Sequence, residues 1–86
     1  MAYDYNTERA AIFTDGGQRD FLKARDHVRE CLKKSGAVRM TEAMSAVTGD
    51  SWRSLAMIDR LVEIGELREI TPAGVAGQDR VFVSTK

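Results

Sequence analysis

The sequence holds one cysteine, one proline and one histidine in 86 residues, and its 13 basic side chains are matched by 13 acidic ones. A lone Cys31 has no internal disulfide partner, and its place in an amphipathic run reads as a half-buried structural thiol. His27 is the only imidazole, and no His, Cys, Asp and Glu group has metal-ligand spacing. No apolar run approaches the roughly 20 residues that cross a bilayer. The opening Met1-Ala2-Tyr3-Asp4-Tyr5 lacks the basic-then-apolar order of a secretion signal. A cytoplasmic protein with no membrane partner is therefore expected. There is no phosphate loop, and Gly74-Val75-Ala76-Gly77 reads as a turn. With no nucleophile beside a base and no cofactor fingerprint, neither an enzyme nor a cofactor is expected.

What is present has the pattern of one small domain. Residues 1–17 read as an N-terminal arm with room for a short helix, capped by Thr7 and bodied by Ala10, Ala11, Ile12 and Phe13; Gly16-Gly17 then breaks it. Residues 18–86 read as the domain proper. Asp15 and Gln18 have capping-box spacing for a helix reaching Lys34. Its apolar stripe is Phe21, Ala24, Val28, Cys31 and Leu32, and Ser35-Gly36 ends it. A shorter helix is expected from Thr41 to Val47, closed by Thr48-Gly49. Another begins at Asp50 or Ser51 and runs to Ile64, with Gly65 taking positive φ as the chain turns into a strand. In that helix Leu55, Ile58, Leu61 and Val62 gather on one side, against Phe21, Val28 and Leu32. Trp52, Arg53, Ala56, Arg60 and Glu63 gather opposite, with Asp59 at the edge. Leu67-Arg68-Glu69-Ile70 and Arg80-Val81-Phe82-Val83 are β-prone runs joined by the turn-rich segment 71–79, so a two-stranded hairpin closes the domain, with Val81 or Val83 in the core.

Helix, short helix, turn, helix and hairpin in that order, and above all Ser54-Leu55-Ala56-Met57-Ile58-Asp59-Arg60-Leu61-Val62-Glu63-Ile64-Gly65-Glu66-Leu67, resemble a winged helix-turn-helix domain. That segment is similar to the recognition helix, and its exit into the wing, of many bacterial transcriptional regulators. The whole sequence resembles small winged-helix proteins of unassigned role carried by proteobacteria and their phages. The resemblance implies a mostly α fold with a C-terminal hairpin, and a recognition helix that enters the major groove of duplex DNA. Carried over by position, Ser51, Trp52, Arg53, Ala56, Met57 and Arg60 form the reading face. Arg39, Thr41 and Arg68 lie where phosphate contacts fall, while Arg80 and Gln78 belong to the wing.

The charge distribution pulls the other way. Residues 18–40 carry seven basic and three acidic side chains, but residues 50–70 carry three basic and five acidic. The wing segment 71–79 has no basic residue. Two functions follow from the same residues. One is a small DNA-binding regulator or accessory factor, dimeric because one module this small offers little interface. The other is a winged-helix protein-interaction module that does not bind DNA. Tyr3, Tyr5, Ile12 and Phe13 are the expected arm for pairing with a second copy or docking a partner. Trp52 packs on the arm or on the preceding helix, or else anchors a partner.

Overall fold

A computed structural model describes residues 3–45, 51–71, 74 and 79–85. Helix α1 (Tyr5–Glu8) continues into a 3-10 helix (Arg9–Phe13), and α2 runs Asp15–Ser35. Strand β1 (Ala37–Arg39), α3 (Met40–Met44) and α4 (Ser51–Glu63) follow, then β2 (Leu67–Glu69) and β3 (Val81–Ser84). The fold is mostly helical with a small antiparallel sheet of three strands, in the order β1-β3-β2.

Local chemistry places the helix ends. Asp4, not Thr7, caps α1: its carboxylate accepts from the Asn6 amide and from the Thr7 hydroxyl. Thr14, not Asp15, caps α2, accepting from the Gly17 amide at 3.0 Å. Asp15 falls in the first turn of α2, and Lys33 and Lys34 in the last, both favourable to the helix dipole. Gly36 ends α2 at φ 74°, its amide bonded to the Leu32 carbonyl at 2.8 Å. Gly65 turns α4 into β2 at φ 83°, as expected of a residue with no Cβ to clash. Helix α3 begins at Met40 rather than Thr41, after an Arg39 that makes no side-chain cap. Val47, Thr48, Gly49 and Asp50 lie outside the described residues.

The core is built on α4. Met57, Ile58 and Leu61 pack with Phe21, Ala24 and Val28 of α2, Met40 and Ala43 of α3, and Val38, Leu67 and Phe82 of the sheet. Leu55 and Val62 are only partly buried. From the hairpin it is Phe82, at 0% exposure, that enters the core, not Val81 or Val83. The register decides this: Val38 pairs with Phe82 and Glu69 pairs with Phe82, so the even-numbered residues of β3 face the helices. The third strand, β1, is an addition to the expected hairpin. Ala37-Val38-Arg39 is too short to show alternation, and it becomes a strand only because β3 offers it a free edge. His27 ties α2 to α3, its Nε2 donating to the Glu42 carbonyl at 2.7 Å.

Gly16-Gly17 does not break a helix; both residues lie in the first turn of α2. Gly17 is there because the arm folds back over it. A Cβ on Gly17 would stand 2.1 Å from the Ala11 carbonyl oxygen and 2.8 Å from that of Ile12, whereas one on Gly16 would meet nothing within 4 Å. The Gln18 side-chain amide adds a 2.8 Å bond to the Ile12 carbonyl. Gly17→Ala is expected to lower stability by about 1–3 kcal/mol through overpacking against rigid backbone. Gly16→Ala should be neutral, or stabilising by up to about 1 kcal/mol, because alanine is the better helix former. Urea unfolding of the two variants checks this, and equal effects would contradict the close passage.

Candidate functional site

The face of α4 opposite the α2 side is where the sequence places a reading surface. In the structure, no residue of α4 from Trp52 to Val62 is exposed. Ala56 and Met57, both expected to face outward, are at 0% exposure, and Ser54 is at 3%. The reason is that α4 is packed from two sides. Helices α2 and α3 and strand β2 touch it, and so do α1 and the 3-10 helix of the arm. Positions 56, 59, 60 and 63 form one stripe at steps of three and four, and the arm lies along that stripe.

Two carboxylates receive it. The Tyr3 hydroxyl donates to Asp59 Oδ2 at 2.5 Å, and the Tyr5 hydroxyl to Glu63 Oε1 at 2.8 Å. Two residues on the arm thus match four residues, about 6 Å of rise, on the helix. Glu63 Oε1 also accepts from Arg9 Nη2 at 3.1 Å and from Arg60 Nη1 at 2.6 Å. The Phe13 ring has both guanidiniums near it, those of Arg9 and Arg60 each 5.1 Å from its centroid, within cation–π range. Ile12 is fully buried. Tyr3, Tyr5 and Ile12 thus pack within their own chain, while Phe13 lies over the two guanidiniums and stays 51% exposed.

Asp59 joins the arm to the hairpin. Its Oδ1 accepts from Arg80 Nη2 at 2.8 Å, and Arg80 also grips Glu69 through Nε at 3.0 Å and Nη2 at 2.8 Å. Arg80, expected to serve the wing as a free cation, is thus held by two carboxylates and lies 5.2 Å from the Phe82 ring centroid. Its pKa is driven further up, chiefly by the Glu69 hydrogen bonds, and that of Glu69 is pulled down in return by Arg80. Arg60 is half-buried under Phe13, and Arg53 is half-buried with its Nε buried and without a hydrogen-bond partner among the described residues. Trp52 is half-buried, nothing is described of the Ser51 side chain, and Gln78 lies outside the described residues.

The other expected contacts are scattered. Arg39, Thr41 and Arg68 are exposed, with Arg39 on β1, Thr41 on α3 and Arg68 on β2. On α2, Arg25 pairs with Asp26, Lys33 with Glu30, and Arg29 with Glu66 on the turn after α4. Arg9, Asp59 and Glu63 are the residues that sequence reasoning did not select as contacts. Their signal was the pairing of Tyr3-Asp4-Tyr5 with two acids one turn apart on α4. Among the described residues, no group of His, Cys, Asp and Glu is placed to hold a metal, and no helix is long and apolar enough to cross a membrane. No family model, curated protein or solved structure matches the chain, so what the α4 face does follows from its geometry.

The bond from Tyr5, followed by that from Arg60, holds the Glu63 carboxyl at about 2, against an ordinary 4.5, and burial beside Glu63 pushes the Tyr5 phenol up. A carboxyl with a lowered folded pKa stabilises the docked arm fully above pH 4.5, and the contribution fades as pH falls towards about 2. Carbon-detected NMR titration should therefore give Glu63 a midpoint near 2 in the native chain. In Tyr5→Phe it should move towards 4.5, since the leading donor is gone. A Glu63 that titrates at its ordinary value in the native chain would mean the arm is not docked.

Proposed function

We propose that this chain is a winged helix-turn-helix domain that serves as a protein-interaction module and does not read DNA with its third core helix, α4. The order α2, β1, α3, α4, β2, β3 supports the winged-helix reading. So do the sheet order β1-β3-β2 and the glycine turn from α4 into β2. One observation carries the functional part: α4 has no exposed residue from Trp52 to Val62. A helix that reads base edges must enter the major groove side chain first. Here the stripe that would enter it lies beneath Tyr3, Tyr5 and Phe13.

Electrostatics support the same reading. Phosphate binding depends on unpaired protein cations that displace the counterions condensed on the nucleic acid. Arg60 and Arg80, two of the expected DNA contacts, are instead neutralised by Glu63 and by Asp59 with Glu69. The formal net charge of zero supplies no attraction to make up for them. By contrast the surface keeps large apolar side chains in the open, among them Leu22 at 44%, Ile64 at 44% and Ile70 at 46% exposure.

A salt-series titration of the full chain with mixed-sequence duplex DNA tests the proposal. The expected result is weak binding with a shallow salt slope, the same in Arg53→Ala/Arg60→Ala as in the native chain. Tight binding that steepens with falling salt and weakens about tenfold or more in that double variant would overturn it. So would tight binding that appears only when Tyr3→Phe/Tyr5→Phe loosens the arm. That result would make α4 a DNA-reading helix under a removable cover.

A further inference from the structure

The sheet has an inner face and an outer one. Val38, Leu67 and Phe82 point inward and are buried at 1%, 3% and 0% exposure. The strand register puts two rows on the other side. Ala37, Val83 and Arg68 stand abreast in one. Two residues along, Arg39 pairs with Val81, whose carbonyl accepts from the Ile70 amide at 2.9 Å. The outer face is therefore a grid with Val81 and Val83 down the centre and Arg39 and Arg68 at opposite corners. Ala37 and Ile70 take the other two corners.

This is an unusual face for an antiparallel sheet exposed to water, where polar residues normally alternate outward. Val81-Phe82-Val83 is apolar on both sides, the pattern of a strand covered on both faces. Yet Val81 and Val83 are only half-buried, and Ile70 is 46% exposed. The two arginines differ from most others in the molecule. Arg9, Arg25, Arg29, Arg60 and Arg80 each sit in an ion pair, whereas Arg39 and Arg68 are exposed and have none among the described residues.

We propose that this outer sheet face, Val81 and Val83 flanked by Arg39 and Arg68, docks an acidic amphipathic helix of a partner protein. The inference deepens the protein-interaction reading and rests on it. Spacing selects the occupant. Two strand separations across and two residues along put the arginine Cα atoms about 12 Å apart. Carboxylates seven or eight residues apart on a helix are separated by about 10–12 Å, with apolar residues of the same stripe between them. Such a helix meets both guanidiniums, each able to hold a carboxylate through two hydrogen bonds, and covers the valines. A nucleic acid would satisfy the two cations but leave Val81, Val83 and Ile70 in water. A second copy placed face to face would cover the valines but bring no carboxylate to either arginine, because none of Ala37, Arg39, Arg68, Ile70, Val81 and Val83 is acidic.

The probe is a synthetic amphipathic helix with two glutamates seven residues apart and leucines between them, titrated into the isotope-labelled full chain and followed by amide NMR. Shifts are expected at residues 37–39, 68–70 and 81–83. Replacing the glutamates with lysines, or using Arg39→Glu/Arg68→Glu, should weaken binding about tenfold or more, since two ion pairs become repulsions. Both arginines are exposed, so the double variant should keep its fold, which its spectrum reports directly. Equal affinity for the two peptides, no effect of the double variant, or no shift on the sheet would overturn the inference. Stronger shifts at the same residues with duplex DNA, or concentration-dependent shifts there without peptide, would also overturn it in favour of a nucleic acid or a second copy. DNA-induced shifts on α4 would strike instead at the protein-interaction reading itself.

Discussion

Gly17 passes so close beneath the Ala11 and Ile12 carbonyls that no side chain fits between them, and the course of the arm depends on that passage. The 3-10 helix is pressed against the first turn of α2, with the Thr14 hydroxyl bonded to the Ala11 carbonyl and the Gln18 amide to that of Ile12. From that bend the arm lies back along α4. Ile12 is buried there, and the tyrosines reach the two carboxylates. A larger residue at position 17 would push the arm off α2 and uncover a helix stripe whose Ala56 is at 0% exposure. Apolar burial, the largest stabilising term in a domain this small, is thus shared between the core proper and the arm.

The acids of α4 acquire a purpose in this arrangement. Asp59 and Glu63 weaken a case for DNA binding when counted as charges. As acceptors they organise three elements: Asp59 takes Tyr3 from the arm and Arg80 from the hairpin, while Glu63 takes Tyr5, Arg9 and Arg60. Isolated surface ion pairs contribute little, but donors converging on one carboxylate oxygen hold a definite geometry. The network runs from arm to helix to hairpin without using Arg39 or Arg68, which stay exposed on the outer face of the sheet beside Val81 and Val83.

Much of the fold was legible in the sequence because it is local. The stripe of Phe21, Ala24 and Val28, the glycine stops at Gly36 and Gly65, and the turn from helix to strand after Glu63 are set within one or two turns of chain. Thr14 displaced Asp15 as the cap because both have capping side chains one residue apart, and the fold-back selects between them. Strand β1 was not legible, since three residues show no period and only β3 makes them a strand. Phe82 rather than its valine neighbours entered the core because parity depends on pairing register, which is a long-range fact. The candidate site was the least legible part. Reading Ala56 as exposed assumed that α4 has one buried stripe and that the opposite side faces water. The arm invalidates that assumption from more than forty residues away in sequence.

The central claim is that the arm covers α4 of its own chain. Nuclear Overhauser contacts from the Tyr5 ring to the Glu63 side chain and from the Phe13 ring to the Arg60 side chain test it most directly, measured on a mixture of isotope-labelled and unlabelled chains so that contacts within and between chains separate. The account predicts both contacts within one chain and none across chains. Narrow, contact-free resonances for both rings would contradict it and return α4 to solvent, and contacts seen only between chains would contradict it by making the cover that of a second copy.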